Sequence, residues 1–280
     1  VGLLQNQSAV SFDVTSGSSD LCFDRTGFCV ARASTGTSWR FARYGMGVCQ
    51  FEEVLASGRR FPVGPSGLCD ASIRSVENHT EVLFPFKARS YSKGTLRLRD
   101  ATATGGIHLV LEIGVDDYLR GFSEVPDTWP EAAIEAQVVA SRSLTIRKVL
   151  DLGPESAFDT ARRVECNCHL LDRSPDPNYR GMAGEIAHPN WVDAVETTTG
   201  EIVSYQGSVA LARFHSSSSG WTENYADVFG GDDYPYLTAV FDSPSLSDPA
   251  ANPHNSWSAG FDQASLAEAF GFSWVSDMRV

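Results

Sequence analysis

The sequence predicts an α+β fold: mixed, largely antiparallel sheets around a central buried helix, in a single compact domain with a β-rich N-terminal part. Three observations predict it. Up to about Gly94 the chain is made of short runs that alternate apolar and polar residues, punctuated by Gly58, Pro62, Gly64, Pro65 and Gly67, which is the pattern of strands and turns. Beyond Asp116 the period changes to that of a helix. No linker separates the two halves and no internal repeat is visible. Residues 1–90 are therefore expected as a β-rich region without a readable motif, and residues 91–280 as the part that carries function.

The elements follow in order. Ala9–Val14 and Arg74–Glu77 alternate as strands do, and Tyr91–Asp100 and Gly106–Gly114 read as two more. Thr128, with Glu131 three residues later and Pro130 inside the first turn, predicts a capping-box start to a helix that runs from Ala132 to Arg147. Small or apolar side chains occupy nearly every face of that helix, so it is expected in the interior. Gln137 and Arg142 are the polar exceptions, and both then need partners. Past Leu152, Ser174–Asn178 form a turn and Gly181–Gly184 a flexible stretch, with strands returning at Glu201–Tyr205 and Val209–Phe214. Gln263–Gly271 predicts a short amphipathic helix ended by glycine.

Composition narrows the function classes. The 280 residues are 42% hydrophobic and 20% charged, an ordinary globular balance that excludes wholesale disorder. Lys and Arg total 22 against 35 Asp and Glu, a net charge of −13. That excess repels phosphate backbones, so nucleic acid is not an expected partner. No segment has the length and apolarity of a membrane span, and a soluble protein is expected. The chain begins at Val1 with neither an initiator Met nor a signal pattern, which suggests processing or trimming.

Six cysteines set the compartment. Cys22 and Cys29 flank a turn-like segment where a disulfide is geometrically easy, Cys49 and Cys69 close a second loop, and Cys166 and Cys168 stand two apart. An even count in this arrangement reads as an exported, extracytoplasmic protein; the alternative is a cytosolic chain with buried free thiols.

Glu124 is the candidate for chemistry. It lies in the connection Tyr118–Pro130 that leads into the helix, with Phe122, Val125, Pro126 and Trp129 around it in sequence. A carboxyl group partly desolvated by such neighbours keeps its proton to higher pH and acts as a general acid; an ordinary surface glutamate is the other reading. Direct pairing with Arg142 would spoil a proton donor, so the partner of Arg142 is expected elsewhere. The loop Phe214–Gly220, with four consecutive serines and a glycine after His215, either lets backbone groups approach a ligand or is a solvated surface loop.

Two ordered blocks resemble the SpoIID/LytB family of bacterial cell-wall proteins. The first is Tyr118–Gly121, Glu124–Pro126, Trp129–Ala132 and Ala136–Ser143; the second is Phe214–Asn224, Asp227–Gly231 and Pro235–Leu237, followed by Asn252–Pro253 and Ser256–Trp257. Together they reach roughly from Tyr91 to the C-terminus, which marks residues 91–280 as a SpoIID-like catalytic domain. The resemblance implies a lytic transglycosylase that cuts the bonds between N-acetylmuramic acid and N-acetylglucosamine in peptidoglycan, with Glu124 as its single acid and base and a 1,6-anhydro product. It also implies that Gln137 and Arg142 orient the Glu124 loop or touch sugar, and that His215, Ser216, Ser217, Ser218, Ser219 and Gly220 line the glycan groove. The usual second carboxylate of a hydrolase is not required by that scheme, although Asp116, Asp117 and Asp127 lie close by in sequence.

The chain departs from the family at one element, represented by Asp172–Gly181 with Asp172 and Tyr179 as its matching residues. Some members carry a zinc site there, but the corresponding positions are Leu171, Pro175 and Asp176. Cys166, Cys168 and His169 are too tightly spaced for a chelating knuckle, so no metal and no cofactor are expected, and a disulfide using Cys166 or Cys168 is expected instead. His79, His108, His188 and His254 read as structural. Val125 stands where the family has Met, a change of similar volume. Two alternatives stay open: the same scaffold acting on another polysaccharide, and a non-catalytic LytB-like enhancer whose partner is a cell-wall amidase.

Overall fold

The computed structural model describes residues 1–101, 104–246, 252 and 258–276. The chain groups into two compact units, Val1–Arg213 and Phe214–Val280. The family-like positions Pro253, Ser256 and Trp257, and His254, lie outside the described residues.

The first unit begins with twelve strands: β1 (Gly2–Gln7), β2 (Ala9–Ser16), β3 (Ser18–Phe23), β4 (Cys29–Ser34), β5 (Thr37–Gly45), β6 (Val48–Val54), β7 (Arg60–Leu68), β8 (Ala71–Ser75), β9 (Glu81–Phe84), β10 (Arg89–Tyr91), β11 (Thr95–Ala101) and β12 (Gly106–Glu112). They make two six-stranded sheets of order β1-β12-β11-β8-β3-β4 and β10-β9-β2-β5-β6-β7. The pairings between neighbours in both sheets are antiparallel. In the first sheet strands before residue 90 pair with strands beyond it, β1 with β12 and β8 with β11, while β10 of the second sheet straddles that position.

Alternation explains which face each strand buries. In β2, Val10, Phe12 and Val14 are buried while Ser11 and Thr15 are exposed, so one face meets the core and the other water. Phe23 of the first sheet lies 6.2 Å from Phe41 and 5.7 Å from Phe51 of the second. The core therefore sits between the sheets. Close approach of the sheet margins depends on glycine at one point: a Cβ on Gly64 in β7 would stand 2.8 Å from the Cβ of Val30 in β4, and Gly64 has φ +67°, both of which exclude larger residues. At the β1 edge, residues 170–172 run alongside and exchange backbone hydrogen bonds with Gly2 of 2.7 and 3.3 Å, which covers an otherwise unpaired margin.

Helices follow: α1 (Val115–Arg120), α2 (Glu131–Leu152), α3 (Thr160–Glu165), α4 (Met182–Ala187) and α5 (Pro189–Thr197). The helix expected at 132–147 is α2, longer at its C-terminal end and stopped by Gly153 at φ 68°. Its middle is buried at Val138, Ser141, Arg142, Ser143 and Thr145, whereas Glu131, Ala132, Leu150 and Asp151 at its two ends are exposed. The capping box does not form. Pro130 occupies the N-cap, without a side-chain cap, and its carbonyl accepts from Ala133 and Ile134 at 2.9 and 3.1 Å. Thr128 is displaced because Trp129 N donates 3.1 Å back to Pro126 O in a turn, and the fixed φ of Pro130 starts the helix without a cap.

Three other expectations shift. The strand at 74–77 is centred earlier, as β8, and the single strand at 91–100 is split by Lys93–Gly94 into β10 and β11, which belong to different sheets. The strands expected at 201–205 and 209–214 shrink to a two-residue pair, β13 (Ser204–Tyr205) and β14 (Ser208–Val209). Gln206 and Gly207, at φ 49° and 79°, form the tight reversal between them. Before it, the Val203 amide is taken by Ser143 Oγ at 2.8 Å, so that end of the run is tied to a helix instead of to a sheet.

The second unit, taken by itself, contains α6 (Tyr225–Phe229) and α7 (Gln263–Ala269). The latter is the helix expected at 263–271, capped by Asp262, whose carboxylate accepts 2.9 Å from Ser265 N.

The cysteines form Cys22–Cys29, Cys49–Cys69 and Cys166–Cys168 disulfides. Cys22 and Cys29 are register partners in the β3–β4 hairpin. Cys49–Cys69 joins the start of β6 to the residue after β7 across a separation of 20 residues. Replacing both Cys49 and Cys69 by alanine should lower unfolding free energy by about 3 kcal/mol, the loop-entropy cost of that length. Urea unfolding of wild type and double variant measures it, and a reductant should no longer act through this pair in the variant.

Candidate active site

The segment Gly121–Pro130 bridges α1 and α2 and carries Glu124. Each end is anchored by packing that its sequence permits. Gly121 faces the Tyr179 ring so closely that a Cβ there would lie 2.1 Å from a ring carbon, and a Cβ on Gly184 of α4 would lie 2.2 Å from the Gly121 carbonyl oxygen. The Gly121 carbonyl accepts 2.7 Å from Arg180 N. Two glycines thus let the turn, the Tyr179 strand of chain and α4 meet without a spacer.

Beneath the turn runs a column of buried rings. Phe84, Tyr91, Tyr179, Tyr118, Phe122 and Trp191 follow one another at centroid separations of 5.8, 5.9, 5.3, 5.0 and 5.8 Å. Such contacts are favourable beyond simple burial, and they tie the second sheet to the helices. Trp191 adds a 2.8 Å hydrogen bond from Nε1 to Leu119 O. Burial pushes the phenols of Tyr91, Tyr118 and Tyr179 upward, so they are neutral at physiological pH.

Glu124 itself stands at the surface. Ser123 Oγ donates 2.6 Å to Val125 O, closing the local turn around it, and Val125 packs on the core. The surrounding protein desolvates the carboxyl group and raises its pKa above the ordinary carboxylate range. No hydrogen bond or ion pair engages that carboxyl group among the described residues.

The three aspartates closest to it in sequence, Asp116, Asp117 and Asp127, are occupied. Asp116 accepts 2.8 Å from Arg142 Nε, Asp117 faces Lys93 Nζ at 3.3 Å, and Asp127 accepts from the backbone amides of Asn190 and Trp191 at 3.2 and 2.9 Å. Asp127 therefore caps the N-terminus of α5, a helix that lies 63 positions further along the chain, and complements its dipole. Asn190 Nδ2 returns a 2.8 Å hydrogen bond to Asp127 O. Sequence reasoning did not find this role, because no local pattern connects an acid to a helix so distant.

Arg142 is buried to 2% exposure and each of its guanidinium nitrogens is engaged. Besides Asp116 it donates to Thr198 Oγ1 at 3.1 Å, Glu201 O at 3.2 Å and Val195 O at 3.1 Å. It joins α2 to α1 and to the C-terminal end of α5, where free carbonyls favour a cation. Gln137 is half-buried one turn earlier and reaches Ser141 Oγ only at 3.5 Å.

His215 to Gly220 belong to the second unit. His215, Ser216 and Ser219 are exposed, Ser217 and Ser218 half-buried and Gly220 buried. Ser218 Oγ donates 2.7 Å to Asp242, and Gly220 N donates 3.2 Å to Ser218 Oγ. Hydrogen bonds from Ser245 and Ser218 hold the Asp242 carboxyl below its usual range. The serine run is thus an organised loop, with Ser219 at φ 57° and Gly220 at φ 103°.

The Asp172–Gly181 element lies in the first unit. Asp172 is buried and paired with Lys87 and, at 3.2 Å, with Arg89. Arg89 also donates to Tyr179 O at 2.7 Å and Asn178 Oδ1 at 2.9 Å, which docks the element on the second sheet. The sulfurs of Cys166 and Cys168 are bonded to each other, and His169 Nε2 lies 2.8 Å from Gly153 O.

An α+β scaffold presenting one unpaired, desolvated carboxyl group on a loop between two helices defines a protein with a candidate acid–base site. Residues 103–205, which include that loop, match the SpoIID family, described as stage II sporulation protein. Over this segment the chain is similar to the SpoIID family, and it spans less than half the length of the relatives it matches. It is 28% identical over 135 residues to stage II sporulation protein D of Bacillus subtilis, covering 47% of this chain and 39% of that protein. It is 32% identical over 121 residues to an amidase enhancer of the same organism, covering 43% of this chain and 14% of that protein. An uncharacterized protein of Brachyspira hyodysenteriae is 29% identical over 136 residues, with 47% and 33% covered.

Two outcomes follow from this geometry. Arg142→Ala should cost about 3–5 kcal/mol in urea unfolding, since it strands several buried acceptors. Glu124→Gln should act in the opposite direction at neutral pH. Desolvation raises the folded-state pKa of Glu124 above its unfolded value, so the folded state binds more protons between the two and stability falls as pH rises through that window. Removing the titrating group leaves the variant increasingly more stable than wild type as pH climbs out of the ordinary carboxylate range, measured by unfolding at a series of pH values.

Proposed function

We propose that this protein is an extracytoplasmic cell-wall enzyme, a lytic transglycosylase that cuts glycan strands of peptidoglycan with Glu124 as its only acid and base. The observation that carries the reading is the contrast between Glu124 and its neighbours. Glu124 is unpaired and its pKa is raised, while Asp116 and Asp117 face cations and Asp127 caps a helix. Within α1 and the loop that follows it, Glu124 is the carboxyl group left unpaired among the described residues, which suits a mechanism with one carboxyl group. The family match and the sporulation-protein relatives support a role at the cell wall, and three disulfides support an oxidising compartment.

The chemistry proceeds in two proton transfers. Protonated Glu124 gives its proton to the glycosidic oxygen as the C1–O bond breaks, and positive charge builds on the sugar ring. The resulting carboxylate then accepts the proton of the C6 hydroxyl while that oxygen bonds to C1. Glu124 ends protonated, no water is consumed, and the product carries a 1,6-anhydro end. In this scheme Arg142 is a positioning residue, since it holds both helices that flank the loop. Gln137 is proposed to touch the bound glycan, and the loop from His215 to Gly220 is proposed, taken by itself, as a glycan-contacting loop of the second unit.

The relative described as an amidase enhancer favours a second reading, in which the chain stimulates a cell-wall amidase without cutting glycan. One digestion decides between them. Intact and peptide-stripped peptidoglycan are incubated with wild type and Glu124→Gln, and soluble products are weighed by mass spectrometry. Anhydro-ended sugars from wild type, reduced by about a hundredfold or more in the variant, are the expected result. Reducing ends would mean a hydrolase. Absence of product from either wall preparation, with amidase stimulation retained by Glu124→Gln, would move the function to the enhancer class; absence of both would leave another polysaccharide.

A further inference from the structure

Beside the Glu124 loop lies a groove that the acid–base chemistry does not use. It has a volume of about 380 Å³ and runs between the start of α2 and α5, with Trp129, Glu131, Ile134, Asn190, Asp193 and Ala194 along it. The floor is apolar and buried, formed by Ile134 and Ala194, while Glu131, Asn190 and Asp193 are exposed above it. Trp129 stands at its side with 49% of its surface exposed. An indole left half open beside a concave surface offers a flat apolar face on which a ligand ring can stack.

The polar groups are equally open. Among the described residues, no hydrogen bond or ion pair occupies the carboxylates of Glu131 and Asp193, the Asn190 side-chain oxygen or the indole N–H of Trp129. The groove therefore offers acceptors and one donor around an apolar floor, the composition of a small-molecule site that fixes orientation through a few polar contacts. Its position is held by the Asp127 cap, since Asn190 at the groove is bonded both ways to Asp127, two residues before Trp129.

We propose that this groove is a carbohydrate subsite: the C–H face of a neutral N-acetylated pyranose stacks on Trp129, and its hydroxyl and amide N–H groups donate to Asp193, Glu131 and Asn190. The occupant is a sugar because the groove pairs a flat ring with acceptors suited to hydroxyls. An acidic ligand is disfavoured by two unpaired carboxylates, which directs the site to the uncharged hexosamine of a glycan strand. Glu124 and Trp129 are five positions apart on one loop, a separation of at most about 18 Å, so the subsite holds a sugar near the one being cut. This inference rests on the glycan-cleaving reading of Glu124 and adds the residues that select and hold its substrate.

The test separates binding from cleavage. Glu124→Gln protein, in which cutting is silenced, is titrated calorimetrically with an N-acetylglucosamine tetrasaccharide. Trp129→Ala in that background should weaken binding by about tenfold or more, Trp129→Phe, which keeps a ring, by about threefold, and Asp193→Ala by an intermediate factor. With Glu124 restored, Trp129→Ala should raise KM for peptide-stripped glycan and leave kcat near the wild-type value, the pattern of lost uniform binding. Equal saccharide affinity with and without Trp129 overturns the subsite, as does failure of the Glu124→Gln protein to bind the saccharide. Trp129-dependent binding of a stem peptide in place of the saccharide overturns it too. The glycan-cleaving reading is judged separately by whether the Glu124 protein releases anhydro ends, so a subsite that fails beside an active enzyme leaves that reading standing.

Discussion

The arrangement of the helices depends on the buried guanidinium of Arg142. Four hydrogen bonds from it reach Asp116, Thr198, Glu201 and Val195. An arginine can serve these acceptors because its donors are spread in a rigid planar fork, which a lysine lacks. Burying that charge is expensive, and the expense is offset because each guanidinium nitrogen finds a partner. The consequence is geometric: α1, α2 and the end of α5 have one relative placement in which the guanidinium is satisfied. The loop that carries Glu124 spans α1 and α2, so its two ends are set by the same condition.

Around this polar knot the apolar packing follows a single direction. The ring column from Phe84 to Trp191 leads out of the space between the sheets and ends under the Glu124 turn. Close-packed interiors are only slightly compressible, so a turn seated on such a column has little room to move. Gly121 and Gly184 allow this seating because any Cβ would collide. Rigid support beneath and an exposed carboxyl group above are what a proton donor needs: the desolvating surroundings stay in place while the acid remains reachable.

The groups near Glu124 show how one short segment divides its carboxylates among different tasks. Asp127 is held by α5 amides and Asp116 by a guanidinium. Glu124 has neither, and only desolvation acts on it. The same functional group thereby serves as a structural contact at two positions and stands unpaired at a third. The difference comes wholly from what each side chain faces. Trp129, on the far side of Asp127, is left open by the same geometry that buries Trp191.

Much of this was legible in the residues themselves. Alternation in Ala9–Val14 and Gly106–Gly114 marked strands, the run after Pro130 marked the long helix, and Cys22 and Cys29 marked a stapled hairpin, because dihedral preference and side-chain period are properties of neighbouring residues. Glu124 was also singled out, through its apolar flanks and its place in a family-like motif. The capping box does not form, which the residues alone do not reveal, because Thr128 and Glu131 look the same in sequence whether or not a turn pulls the threonine away. The partners of Arg142, the α5 cap supplied by Asp127, the ring column through Tyr179 and the pairing of β1 with β12 were decided only by the tertiary structure. Each joins residues far apart in the chain, and which distant groups meet is settled by packing and by the need to satisfy buried donors and acceptors together, a condition no short stretch of sequence contains.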